Sequence, residues 1–300
     1  MAKYTEQTFD NWRKPASESE EQRISNAISM LKDAIRGSDD LKHNDIEIFV
    51  QGSYANNTNV KTESDIDVCI MLKDTFYTEY PDNLTDDHYG FSRGTNNFAT
   101  YRKQVINALI KKFGEENLKL GNKSIKIKSN NYRVDADAVP SFQYRNYRYN
   151  NSLNRDVFIE GVKFYSQTND EIINYPKIHI NNGRDKNQYT QRRFKRLVRI
   201  FKRIRYKMID DNEPVNKGIS SFLVESLLWN VPNTIFNNYQ SWTDRVKESI
   251  RYLYEKTENE INCKEWGEVS EILYLFHNQR KWNVKMTNDY LLQMWKYLEF

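Results

Sequence analysis

IEIFVQGSYANNTNVKTESDIDVCIML, residues 46–72, is the stretch on which the fold turns. Two runs of strand length, 46–51 and 65–72, flank a polar segment that opens on Gly52-Ser53. A strand repeats every two residues, so Asp65 and Asp67 project from one face while Ile66 and Val68 pack on the other. Two carboxylates side by side in an apolar strand repel each other. The arrangement becomes favourable when a divalent cation sits between them. Taken alone, Asp-x-Asp is short and common, and it also occurs at solvated acidic strand ends.

A third carboxylate narrows the choice. YRVDADAVP, residues 132–140, alternates in the same way, with Asp135 and Asp137 on one face and Val134, Ala136 and Ala138 on the other. Three carboxylates from neighbouring strands suit two Mg²⁺ ions roughly 4 Å apart, which clamp the attacking and leaving oxygens of an in-line phosphoryl displacement. Magnesium favours an all-oxygen site that keeps water and substrate phosphates among its ligands, and Mn²⁺ takes the same donors. Gly52 lets the backbone approach a phosphate closely, and the Ser53 hydroxyl and amide are donors to it. The ordered set of Gly-Ser, Asp-x-Asp and a distant Asp points to metal-dependent nucleotidyl transfer. Asp65 and Asp67 are the first two ligands, and Asp135 and Asp137 compete for the third place.

This set resembles the DNA polymerase β nucleotidyltransferase superfamily, and within it the bacterial cGAS/DncV-like nucleotidyltransferases (CD-NTases) of the CBASS anti-phage systems. The resemblance continues through GVKFY (161–165), INYPKIHINNGRDKN (173–187), Thr190, FKRLVRIFK (194–202) and ISSFLVE (219–225). It is nearest to the group that includes pyrimidine-using cyclic dinucleotide synthases, and it covers about Ile46 to Pro232. It implies an α+β, bilobed, polymerase-β-like fold: a mixed-sheet lobe with a long bridging N-terminal helix, and a helical C-terminal lobe. The expected division is residues 1–165 for the catalytic core and 166–300 for the helical lobe completing the NTP pocket.

The resemblance also implies a chemistry. Asp137 becomes the third metal ligand, because DAVP (137–140) matches the family's Asp-x-Val-Pro context, and Lys202 and Ser221 match its triphosphate-binding Lys and Ser. Ser220 is an adjacent competitor. One NTP acts as donor and a second supplies the attacking hydroxyl. Pyrophosphate leaves, and the linear intermediate turns over to close a cyclic dinucleotide. The expected substrates are ATP, UTP or other NTPs, and the expected partner is a downstream effector activated by the cyclic nucleotide. No membrane and no obligatory nucleic acid enter this picture, and the protein is expected to be a monomer.

Composition agrees without demanding this. The 300 residues are 38% hydrophobic and 14% aromatic, enough for one large or two small domains, and the formal net charge of +4 is too small to imply nucleic-acid binding. Cys69 and Cys263 show neither zinc spacing nor a disulfide framework, and they read as packing residues of a reducing, cytoplasmic compartment. No apolar run reaches eighteen residues. No nucleophilic Ser/His or Cys/His constellation supports a hydrolase.

Along the chain, Ser17 to Arg36 reads as an amphipathic helix with Ile24, Ala27, Ile28, Leu31 and Ile35 on one side, ending at Gly37. Strands at 46–51 and 65–72 are followed by a polar insertion from Lys73 to Asn97, expected as a mobile surface loop and candidate lid. A helix at 98–113 and strands at 123–129, 132–139 and 157–165 complete the first half.

From Gln188 to Lys207 there are nine Lys or Arg and no acid, with Phe194, Leu197, Phe201, Ile204 and Met208 as a buried stripe. Lys195, Arg199 and Lys202 share a side suited to a triphosphate, since a site holding two Mg²⁺ and an NTP needs further cations. Asn181, Asn182 and Asn187 offer amides to a base edge, with Asn182 taken forward. If such an Asn reads uracil or cytosine, the product contains a pyrimidine. YRNYRY (144–149) interleaves rings and cations, a pattern shared by single-strand nucleic-acid binders and by exposed hairpins. The five tryptophans from Trp229 to Trp295 read as core. Two other readings share these motifs. One is a template-independent nucleotidyltransferase that makes linear oligonucleotides or modifies RNA or a small molecule. The other is an inactive sensor that keeps the fold.

Overall fold

The computed structural model describes residues 2–15, 21–60, 65–81, 84–277 and 280–300. In chain order its elements are α1 (Glu6–Trp12), α2 (Glu21–Arg36), β1 (Ile46–Gln51), α3 (Gly52–Ala55), β2 (Ile66–Glu79), α4 (Phe98–Phe113), β3 (Leu118–Leu120), β4 (Ile125–Ile127), β5 (Ala136–Asn150), β6 (Arg155–Tyr165) and β7 (Glu171–Asn174). The helices α5 (Pro176–Tyr189), α6 (Arg193–Asp210), α7 (Ser221–Trp229), α8 (Asn233–Asn238), α9 (Trp242–Thr257) and α10 (Val284–Tyr297) follow. The backbone falls into two compact units. One comprises Ser17–Ala55 and Thr62–Lys177, the other Met1–Ala16, Asn56–Lys61 and Ile178–Phe300.

The first unit is built on a mixed seven-stranded sheet of order β1-β2-β5-β4-β3, with β6 on β5 and β7 on β6. Period-two alternation gives β2 its two faces. Ile66, Val68, Ile70 and Leu72 pack with Ala27, Leu31 and Ile35 of α2 and with Val105 and Leu109 of α4. Asp67, Cys69 and Met71 turn to the opposite face, where Cys69 Sγ lies 3.0 Å from Ser141 Oγ. Helix α4 starts at Asn97, whose side chain accepts from the Thr100 amide, and stops at Gly114 with φ 84°. The expected helix start at Ser17 lies outside the described residues.

The insertion at 73–97 departs from expectation. β2 continues to Glu79, pairing Phe76 to Glu79 with Gln143 to Asn146 beyond a register shift. Asp86–Tyr89 form a 3₁₀ turn. Tyr80 stacks on Tyr89 at 5.0 Å, Tyr89 meets Tyr147 at 4.6 Å, and Phe76 meets Phe91 edge-on at 5.0 Å. The rings supply the packing that a polar-looking sequence hid, so the segment is pinned to the sheet. The same rings hold the first part of YRNYRY: Tyr144 and Tyr147 are buried, and Arg145 lies 3.5 Å from the Phe76 ring centre. These three are committed inside the fold, while Arg148 and Tyr149 are exposed.

The second unit is helical. Phe194, Leu197, Phe201, Ile204 and Met208 of α6 form the buried stripe the spacing predicts, and Leu223, Leu227, Val246 and Leu253 pack with them. Trp242, Trp266 and Trp282 are buried and Trp229 and Trp295 partly so, all in this core. Cys69 and Cys263 are both buried free thiols. Among the described residues no helix is long and apolar enough to cross a membrane.

Candidate active site

Strand pairing brings the acidic residues together. β2 and β5 run parallel with Asp67 opposite Asp137, and on the other side Asp67 is opposite Gln51, the last residue of β1. The chain therefore turns at Gly52 directly beside the Asp67 carboxylate. Gly52 has φ 69°, and a Cβ there would overlap the Asp67 carboxylate oxygens. Glycine is required twice over, by backbone angle and by proximity.

The carboxylates disturb one another. Burial first, then Asp137 and Asp65, push the Asp67 carboxyl up to about 7. Asp137 is raised by burial and by Asp65, against a 3.2 Å hydrogen bond from Ser124 Oγ that favours its ionised form. Among the described residues neither Asp67 nor Asp137 has a cationic partner within ion-pair distance. Lys126, opposite Asp137 across β4 and β5, lowers the Asp137 carboxyl from further off, while only acids and burial act on Asp67.

Asp65 and Asp135 are held differently. Lys126 on β4 places Nζ 2.9 Å from Asp65 Oδ2 and 2.9 Å from Asp135 Oδ2. The Ser129 amide also donates to Asp135. Burial raises Asp135, but Lys126 and Ser129 outweigh it and hold the carboxyl below its usual range. The two acids expected to compete thus have different environments: Asp135 is locked in an ion pair, and Asp137 is not.

As placed, no three His, Cys, Asp or Glu side chains among the described residues stand ready around a metal position, and Asp65 is turned to Lys126. The donor chemistry nonetheless fits a hard divalent cation: oxygen ligands only, two of them in register and outside any ion pair among the described residues.

The helical unit holds the remaining candidates. Lys202 is buried, with Nζ 2.8 Å from Glu225 Oε2 and 2.8 Å from Thr58 Oγ1. Ser220 caps α7 by accepting from the Leu223 amide, whereas Ser221 Oγ lies 3.3 Å from the Tyr206 hydroxyl. Ser220 thus takes part in folding the helix, while Ser221 faces Tyr206. Lys195 is half-buried, and burial lowers its ammonium. Arg199 does not join a cationic face. Its guanidinium donates to the carbonyls of Arg13 and Asn57, a backbone clamp. Asn182 lies on α5 and donates to the Val269 carbonyl at 2.9 Å, and Asn187 accepts from the Lys195 amide.

Sequence reasoning missed Lys126, Ser124, Thr58, His179 and Glu225. Glu225 carried a signal, being the sole charge within ISSFLVESLLW (219–229). Lys126 carried none, since only strand pairing brings it to Asp65.

Family models cover nearly the whole chain. The nucleotidyltransferase domain matches residues 32–179, and the cGAS/DncV-like nucleotidyltransferase C-terminal helical domain matches 181–299. The cyclic dipyrimidine nucleotide synthase CdnE of Cecembia lonarensis is 47% identical over 300 residues, all of both chains. The CdnE cyclic dinucleotide synthase of Elizabethkingia meningoseptica, solved with GTP and Apcpp, superposes with a TM-score of 0.82 at 32% identity, over 99% of this chain and 100% of its own. The Rhodothermus marinus CdnE c-UMP-AMP synthase, solved with Apcpp and Upnpp, gives 0.83 at 26% identity, over 97% and 95%.

Proposed function

The chain belongs to the cGAS/DncV-like nucleotidyltransferases, and from that premise we propose that it joins two NTPs into a pyrimidine-containing cyclic dinucleotide, releasing pyrophosphate. The observation that carries the chemistry is the in-register pair Asp67 and Asp137, neither in an ion pair among the described residues, beside a glycine turn. The dipyrimidine activity named for the Cecembia lonarensis relative supports the base choice.

In this reading Asp65, Asp67 and Asp137 hold the divalent cations, two Mg²⁺ or Mn²⁺. Such ions lower the pKa of an attacking ribose hydroxyl and neutralise phosphate charge. Gly52 and Ser53 present backbone and hydroxyl donors to the donor phosphates. Lys202, Ser221 and Lys195 hold the triphosphate, and the oxygen of the Asn182 amide is an acceptor for a base edge. The acceptor hydroxyl attacks the donor α-phosphorus in line, and pyrophosphate leaves. The linear product turns over, and its remaining hydroxyl closes the ring. A cyclic-nucleotide-activated effector in anti-phage signalling is the partner this product implies.

Incubation with an equimolar mixture of four NTPs and Mg²⁺, with no added acceptor, is expected to yield a phosphatase-resistant product whose mass contains at least one pyrimidine. A phosphatase-sensitive ladder would instead establish the linear-product alternative.

The third ligand is tested separately. Asp137→Asn is expected to lower pyrophosphate release about 10³-fold, roughly 4 kcal/mol of barrier. Asp135→Asn is expected to cost less than about tenfold, since it breaks an ion pair beside the ligands rather than removing one. The reverse order would reassign the metal to Asp135.

A further inference from the structure

Glu225 is the one charge in an apolar helix, and it is 4% exposed. A carboxylate so buried is tolerated only when its oxygens are paired. Both oxygens are. Oε2 accepts from Lys202 Nζ at 2.8 Å and from Thr58 Oγ1 at 3.0 Å, and Oε1 lies 3.3 Å from His179 Nε2. Thr58 closes a triangle, because its hydroxyl also accepts from Lys202 at 2.8 Å. Burial raises the Glu225 carboxyl, yet Lys202 and then His179 hold it well below the ordinary range.

The triangle restricts Lys202. An ammonium has three N–H donors. Among the described residues two meet Thr58 and Glu225, which fixes the head group; the third has no protein partner there, and the side chain is 3% exposed. A lysine on a flexible stem ordinarily loses rotamer freedom when it grips an anion. Here that ordering is complete before any nucleotide arrives. The partners come from the start of α5, the middle of α6 and the 56–60 segment, so three stretches meet at the one carboxylate of Glu225.

We propose that Glu225 is a positioning residue for the triphosphate, fixing Lys202 through the shared Thr58 hydroxyl without touching substrate itself. The proposal rests on the reading of Lys202 as a triphosphate ligand, and the experiment separates the two.

Binding of a non-hydrolysable UTP analogue in Mg²⁺ is measured by calorimetry, alongside KM and kcat. Glu225→Gln keeps the shape and removes the charge. It is expected to weaken analogue binding and raise KM about tenfold, with kcat within about twofold, because the interaction is equal in ground and transition states. Lys202→Met is expected to weaken binding at least as much, and Glu225→Gln added to it should bring no further loss, the signature of two residues acting as one. Losses that multiply, or a fall in kcat at constant KM, would overturn the proposal. Unchanged binding in Lys202→Met alone would instead remove the reading of Lys202. Should Glu225→Gln fail to fold, Thr58→Val keeps both charges and is expected to raise KM about threefold, an effect absent in the Lys202→Met background. An unchanged KM in Thr58→Val overturns the proposal equally.

Discussion

Asp67→Asn is expected to abolish nucleotidyl transfer and, at the same time, to stabilise the metal-free protein. The loss of activity, about 10³-fold or more, follows from removing the carboxylate at the centre of the acidic cluster. The gain in stability follows from its raised pKa of about 7. A group whose folded pKa lies above its unfolded value of about 3.9 binds its proton more tightly in the native state. Its contribution to stability is complete below about pH 4 and is lost as pH rises through 7. Asparagine removes that loss. Each pKa unit corresponds to about 1.4 kcal/mol, and allowing for the partial exposure of Asp67 the gain at pH 8 is about 2 kcal/mol. Thermal melts in chelator should show the variant about 4 °C above the parent at pH 8 and level with it near pH 4. Saturating Mg²⁺ should raise the parent's melting temperature and leave the variant's unchanged. A variant that melts lower than the parent at pH 8 in chelator would sink the account of an uncompensated carboxylate.

Gly52→Ala is expected to lower kcat about 10²-fold without deleting any polar group. A Cβ at this position must displace the Asp67 carboxylate, and a shift of about 1 Å in a reacting constellation costs on the order of that factor. The left-handed backbone adds about 1–2 kcal/mol of destabilisation. Gly90 provides the control. It has nearly the same φ, 68°, but a Cβ there meets nothing within 4 Å. Gly90→Ala should therefore share the backbone part of the lost stability and retain full activity. Equal activities of the two alanine variants would show that proximity to Asp67 is irrelevant.

What could be read from the sequence was whatever rests on local periodicity. The alternation around Asp65 and Asp67, the bounds of β1 and α4 and the apolar stripe of α6 are all set by residues within a few positions of one another. The reading weakened where tertiary partners decide. The 73–79 stretch is a strand because Phe76 and Tyr77 find rings and a parallel neighbour, although its Thr, Asp and Lys content reads as loop. The stretch 179–187, with its Asn and Gly, is helical in α5, with Asn182 and Asn187 bonded to distant backbone. Asp135 and Asp137 look equivalent in sequence, and only the arrival of Lys126 from β4 distinguishes them. Likewise the basic face of α6 divides by environment: Arg199 is a clamp, while Lys202 is held by a carboxylate 23 positions along the chain (225 − 202), on another helix.

The parallel pairing of Asp67 with Asp137 has a consequence for biosynthesis. The two lie 70 positions apart (137 − 67), and their strands can zip together only after everything between has emerged and a long loop has closed. A nascent chain halted before β5 carries Asp65 and Asp67 beside β1 alone, with Asp137 not yet opposite Asp67. The acidic pair is completed only when β5 docks on β2.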